Sequence, residues 1–208
     1  MTYCNIQNSI ALYDKAVPDQ LCDEVIDFYE SNKHLHMQGK TAAGISDMKV
    51  STDMAIASPS IPISEESDYR VRTELDDYLA DFVNISIRNY ISVFDWIKCA
   101  QSTQDTGYQI QKYIAGEGHY KEHIDGDPWT ERLNQRICGI ILYLNDVHEG
   151  GGTYFRHQDM YVDARKGRVA IFPASWTHPH AGTVPVSNDK YIISSFLVPC
   201  QIYEVPSN

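Results

Sequence analysis

What most constrains this chain is the series of short apolar runs in its second half. From Gly107 onward come YQIQKYI, ICGIILYLN, GRVAIFP and YIISSFLV, separated by turn signals at Gly116 to Gly118, Gly126 to Pro128, Gly150 to Gly152 and Lys166-Gly167. Runs of this kind, rich in β-branched and aromatic residues and bounded by Gly and Pro, read as strands. No helix-length segment lies between them, and parallel pairing would need such a crossover. The strands are therefore expected to pair antiparallel, as a sandwich or barrel. In YQIQKYI, Gln109, Gln111 and Tyr113 share one face while Tyr108, Ile110 and Ile114 share the other, which predicts a polar face lining a wet cavity. From Ile137 to Leu144 both faces are apolar apart from Tyr143, as expected of a strand held between two layers. A lone phenol there needs a partner.

The first half has a different period. After Pro18, the segment Asp19 to Lys33 repeats apolar residues at Leu21, Cys22, Val25, Ile26 and Tyr29, which is helical spacing with Asp19 as N-cap. A second helix is expected from about Ser64 to Tyr90, with Val71, Leu75, Tyr78, Leu79 and Phe82 on its buried stripe. Residues 35 to 63 are rich in Gly, Ser, Ala and Pro without a sustained period, which suggests irregular strands and a mobile loop, a candidate flap over a substrate. The expected class is mainly β with N-terminal helices (α+β). The chain reads as one domain over 1–208, with helical support over about 1–100 and a β core over about 101–200.

With 43% hydrophobic and 11% aromatic residues in 208 positions, the chain can bury a core of that size. A net charge of -11 gives little attraction for nucleic acid phosphates or anionic lipid. Five scattered cysteines, Cys4, Cys22, Cys99, Cys138 and Cys200, include no pair at metal or redox spacing. Free thiols in a reducing compartment are expected. No signal-like start and no bilayer-length apolar run are present, so the reading is a soluble, cytoplasmic protein with no membrane and no nucleic acid partner.

His123-Ile124-Asp125 sets an imidazole and a carboxylate two residues apart. On an extended segment this turns both side chains to one side. Two His and one carboxylate form a facial set that leaves positions open for an oxidant and a chelating co-substrate, and His180 is the candidate third ligand. Each of these residues alone is equally well read as a surface or core-satisfied group. Other histidines compete. His178 lies two before His180, and His34 and His36 form a His-x-His pair read as solvated polar residues. His119 and His123 are four apart, which would suit zinc on a helix, but Gly116 and Gly118 argue against a helix there.

Taken together, the motifs YIAGEGHYKEHID from Tyr113 to Asp125, IILYLN from Ile140 to Asn145, GGTYF from Gly151 to Phe155 and PHAGTVPVSNDKY from Pro179 to Tyr191 resemble the prolyl 4-hydroxylase branch of the 2-oxoglutarate oxygenases. The resemblance covers about residues 107 to 198. It implies a double-stranded β-helix (jelly roll, cupin-like) backed by helices, with His123, Asp125 and His180 holding Fe(II). It assigns Tyr113 and Tyr143 as co-substrate contacts and Lys190 as the partner of the far carboxylate of 2-oxoglutarate. It also favours His180 over His178, through the Pro-His-Ala order and the ten-residue step to Lys190. A lysine in that place, where other branches use arginine, points to the prolyl 4-hydroxylase side. Two departures stand out: Phe196 where the family often has Trp, and Pro185 one place later than usual after the distal His.

By that resemblance, O2 and 2-oxoglutarate are consumed and succinate and CO2 released, with ascorbate as reductant and a prolyl residue of a peptide or protein hydroxylated. The alternatives are the same chemistry on another side chain or a small metabolite, and a non-catalytic cupin-type module that only holds metal. Lys190 and two co-substrate tyrosines disfavour the last. No side chain needs to act as general base, so Glu117 and Glu122 read as surface charges. Trp129 and Trp176 are candidates for the wall of a substrate entrance.

Overall fold

A computed structural model of the chain describes residues 3–41, 43–56, 66–95, 97, 103–127, 129, 133 and 135–200. The first half contains strands β1 (Tyr3–Gln7) and β2 (Ile10–Asp14), helix α1 (Asp19–Ser31), a 3-10 turn (Lys33–Leu35), β3 (Met37–Gln38), β4 (Lys49–Val50), β5 (Thr52–Ala55) and helix α2 (Glu66–Val93). The second half is strands throughout: β6 (Thr103–Asp105), β7 (Gln109–Tyr113), β8 (His119–His123), β9 (Cys138–Tyr143), β10 (Thr153–Phe155), β11 (Met160–Val162), β12 (Val169–Pro173), β13 (His180–Gly182) and β14 (Lys190–Pro199). A large sheet runs β1-β2-β12-β9-β14-β7-β5-β3, with β6 also on β14, and a small one runs β11-β10-β13-β8-β4. Every pairing is antiparallel. The result is the expected jelly roll with helices on one side.

The apolar residues fall into two layers, and β9 divides them. Its Cys138, Ile140 and Leu142 join Leu21, Val25, Leu79 and Val83 of the helices in an outer cluster. Its Tyr143 joins Tyr113, Phe155 and Phe172 in an inner cluster between the sheets, with Ile141 against it. Strict alternation with apolar residues of both parities is what a strand covered on both faces requires. On β7 the polar face also holds together: Tyr113 OH donates to Gln111 Oε1 at 2.7 Å and Gln111 Nε2 to Gln109 Oε1 at 3.1 Å.

Three expectations need correcting. Pro18 takes the N-cap of α1, with no side-chain cap, while Asp19 lies in the first turn and accepts from Lys15 at 2.9 Å. Tyr78 is 60% exposed, so the buried stripe of α2 runs Leu75, Leu79, Val83, Ile87 and Tyr90; the helix continues to Val93 and follows steps of four and three residues along one face. Ser64 and the rest of 57–65 lie outside the described residues, as does the side chain of Val71. The helical support over 1–100 also contributes strands to the core: β2 lies beside β12 and β5 beside β7. β5 falls within the irregular strands expected over 35 to 63, whereas β2 is not among the expected strands; the partners of both lie too far away in sequence for local periodicity to reveal the pairing.

Among the described residues no helix is long and apolar enough to cross a membrane, and Cys4, Cys22, Cys138 and Cys200 are free thiols. The corrected stripe predicts that Leu79→Ala, which empties a fully buried site, lowers unfolding stability by about 2–5 kcal/mol. Tyr78→Ala should stay within about 0.5 kcal/mol of the parent. Urea unfolding of the two variants checks both values.

Candidate metal centre

β8 ends at His123 and β13 begins at His180, and the antiparallel register sets these two residues opposite each other. Asp125 follows in the bend after β8, where its carbonyl accepts from Arg136 Nη1 at 3.0 Å and the next amide, Gly126 N, donates to Ala174 O at 2.7 Å. One nitrogen of each His and one oxygen of Asp125 thereby lie within 4.8 Å of one another. His123 Nε2 is 3.5 Å from Asp125 Oδ1 and His180 Nε2 is 3.7 Å from Oδ2.

The ring nitrogens that point elsewhere decide what this cluster can hold. His123 Nδ1 faces Lys121 O at 2.8 Å and His180 Nδ1 faces His178 O at 3.0 Å. A carbonyl only accepts, so both Nδ1 atoms carry hydrogen, which leaves Nε2 of each ring as the nitrogen available on the Asp125 side. Burial pushes the His180 imidazole below its usual range. Burial also opposes the charge on Asp125, but His180, His123 and the Arg136 guanidinium outweigh it and hold the carboxyl below its usual range. Two imidazoles that offer Nε2 and one carboxylate, all on one side, fit a divalent metal such as Fe(II) with open positions.

Packing fixes these groups. Tyr120 stacks on His123 with centroids 3.5 Å apart, and His180 lies against Phe172 at 4.7 Å and Phe155 at 5.4 Å. Gly139 is needed where β9 passes the site, because a Cβ there would overlap Asp125 Oδ2 and come within 2.7 Å of the Phe172 ring.

Lys190 opens β14 and is only 2% exposed. Its Nζ lies 4.3 Å from the Tyr113 ring centroid, and among the described residues it has no hydrogen-bond acceptor and no carboxylate. Burial alone pulls its pKa down to about 7. A buried ammonium left without an anion is the complement of a ligand carboxylate. Tyr113 and Tyr143 are both buried, which raises their pKa values and keeps them as hydroxyl donors; Tyr143 OH shares a hydrogen with Thr153 Oγ1 at 2.7 Å. Asn145 holds the chain on either side of Lys190, accepting from Tyr191 N at 2.8 Å and donating to Asp189 O at 2.8 Å.

The competing histidines are used elsewhere. His178 meets Asn8 O with Nε2 at 3.0 Å and Thr177 Oγ1 with Nδ1 at 2.8 Å. His119 sits between the carbonyls of Glu117 and Asp47, His36 stacks on Tyr29, and His34 is exposed. Glu117 and Glu122 are surface groups, the latter paired with Arg156. Trp129 is 91% and Trp176 69% exposed, on the two loops that Gly126 and Ala174 tie together. Sequence reasoning missed Arg136, whose guanidinium carbon lies 3.5 Å from the Phe196 ring centroid, along with Gly139 and the Lys49–Asp53 pair. None of these stands at a spacing that marks it; each acquires its place only through strand pairing.

Residues 108–198 match the 2OG-Fe(II) oxygenase superfamily. The chain is 35% identical over 115 residues to a probable prolyl 4-hydroxylase of Arabidopsis thaliana, covering 52% of this chain and 36% of that protein. It thus spans about a third of the length of that curated relative. The viral collagen prolyl hydroxylase of Paramecium bursaria Chlorella virus-1, solved with 2OG, aligns over 93% of this chain and 97% of its own, with TM-score 0.63 and 18% identity. A prolyl hydroxylase from Trichoplax adhaerens, in complex with a peptide fragment of the hypoxia inducible factor oxygen degradation domain, aligns over 92% and 84% with TM-score 0.68 and 16% identity. Over residues 108–198 the chain is thus similar to the 2OG-Fe(II) oxygenase superfamily.

Proposed function

We propose that this protein hydroxylates a prolyl residue in a peptide or protein, using Fe(II), O2 and 2-oxoglutarate and releasing succinate and CO2. The observation that carries the reading is the unpaired Lys190 ammonium, which lies over Tyr113 of the same inner layer whose Phe155 and Phe172 pack against His180 of the His123, Asp125 and His180 cluster. A site that only stored metal would have no use for a buried cation. The prolyl substrate is supported by the named activities of the relatives, one of which was solved with a substrate-like peptide.

In this reading His123 Nε2, His180 Nε2 and one Asp125 oxygen hold the metal, and Lys190 pairs with the far carboxylate of 2-oxoglutarate. Bound Fe(II) supplies the oxidising chemistry that couples decarboxylation of 2-oxoglutarate to hydroxylation of a C–H bond. The protein's part is to orient and to exclude water. Tyr113 can turn its hydrogen from Gln111 to the co-substrate, and Tyr143 keeps its phenol oriented through Thr153. Phe155 and Phe172 keep the wall beside His180 apolar. Trp129 and Trp176, exposed on the two loops joined beside Asp125, would meet the peptide.

Succinate formation with Fe(II), 2-oxoglutarate and ascorbate, together with a gain of one oxygen in proline-containing peptides by mass spectrometry, tests the reaction. His123→Ala and Asp125→Asn should each reduce turnover by at least about a hundredfold. Turnover with lysyl peptides or metabolites but not with prolyl peptides would keep the chemistry and discard the substrate.

The position of Asp125 depends on the missing side chain at Gly139. Gly139→Ala should weaken metal binding by about 10–100-fold while the fold persists. Metal titration followed by circular dichroism reads both.

A pH dependence follows from Lys190. Its free pKa is depressed to about 7 by burial, and a bound carboxylate raises it, so binding above pH 7 takes up a proton. Affinity for 2-oxoglutarate should therefore be greatest below pH 7 and fall as pH rises, by up to about tenfold per unit. Calorimetric titration should show that slope in the parent and a weak, pH-independent affinity in Lys190→Met. A slope that survives the substitution would assign the anchor elsewhere.

A further inference from the structure

Beside the proposed co-substrate pocket lies a second buried lysine with an acidic partner. Lys49 Nζ is 2.6 Å from Asp53 Oδ2, and both side chains are 4% exposed. Ser51 Oγ donates to Asp53 Oδ1 at 2.7 Å. The pair spans the step at which the chain leaves one sheet for the other: Lys49 pairs with Tyr120 on β8, and Asp53 pairs with Gln111 on β7. It also borders the reactive groups. Lys49 Nζ lies 5.6 Å from the centroid of the Tyr120 ring, which stacks on His123, and the charge of Asp53 is felt at the Tyr113 phenol, whose ring contacts Lys190.

A buried ion pair is frequently no more stable than apolar side chains of the same volume. Its presence here has a more specific consequence. Asp53 places a carboxylate close to a pocket that, on the function proposed above, must admit a dianion. Uncompensated, that carboxylate would repel the dianion at short range and low dielectric.

We propose that Lys49 is a positioning residue that neutralises Asp53, so that Lys190 and the Tyr113 hydroxyl remain available to the 2-oxoglutarate carboxylates. The inference rests on the reading of the pocket as a 2-oxoglutarate site. It predicts effects that follow the sign of the charge. Lys49→Met, which leaves Asp53 unpaired, should weaken 2-oxoglutarate binding at least tenfold. Asp53→Asn, which leaves the cation, should bind as tightly as the parent or tighter. The double variant Lys49→Met/Asp53→Asn should return to within threefold of the parent, and Lys49→Arg should match it.

Calorimetric titration of each purified variant with 2-oxoglutarate in the presence of Mn(II) gives these dissociation constants without turnover, and thermal melting reports folding. A purely structural clip predicts another pattern: both single variants weaken binding alike and the double variant does not recover. That pattern, or parent-like binding by Lys49→Met, overturns the proposal. If Lys49→Met does not fold, the double variant decides, since binding more than tenfold weaker than the parent would equally overturn it. Failure of the parent itself to bind 2-oxoglutarate would defeat the pocket reading rather than this assignment alone.

Discussion

The rest of the site depends on the register between β8 and β13. Pairing His180 with His123 brings together two residues separated by most of the second half of the chain. A shift of one residue along either strand would turn its histidine to the opposite face. The register is held on both sides, because β13 also pairs with β10, where Phe155 lies opposite His180, and β8 pairs with β4. Phe155 thus guides the strand and forms the wall against the ring. The irregularity between His180 and Gly182 falls immediately after the ligand position, where a local kink re-aims the chain without disturbing the histidine pair.

Around that pairing, the interior keeps its charges separated by function. Asp125 faces two imidazoles whose outer nitrogens are occupied by carbonyls, so its charge is directed at the space between them. Among the described residues Lys190 faces an aromatic ring and no acid, while Lys49 is matched by Asp53. An interior of low dielectric magnifies each of these choices. An unmatched cation is tolerable there because part of the penalty appears as a depressed pKa, and a ligand carboxylate can restore the charged form.

The antiparallel strands and the His123–Asp125 pair were legible from local signals, while the jelly roll, His180 and Lys190 were carried by the resemblance. Alternation reported the strands, His123 and Asp125 share a strand end, and the order of motifs carried His180 and Lys190. The helix stripe was read partly wrong at Tyr78 because an aromatic beside Leu79 satisfies the same periodic count whichever way it points. The irregular strands expected over 35 to 63 are present as β3, β4 and β5, but their pairing was illegible, because their backbone is extended by partners elsewhere and not by their own propensities. Arg136, Gly139 and Asp53 belong to this second kind. Lys49 and Asp53, four apart in a stretch without period, look like an exposed ion pair until the chain's change of sheet encloses them.

This division has a physical basis in where each task is placed. The groups proposed to hold metal and co-substrate stand on strands paired on both sides or in the bend fixed by Arg136 and Ala174, so small displacements are resisted by many bonds at once. Trp129 and Trp176, proposed to meet the substrate, project from loops and are largely exposed. Loops accept changes in sequence that strands do not. In this chain the fold itself therefore constrains the strand-borne groups more tightly than the loop-borne ones. The acidic balance of the chain, at -11, adds a long-range preference for neutral or basic partners over acidic ones.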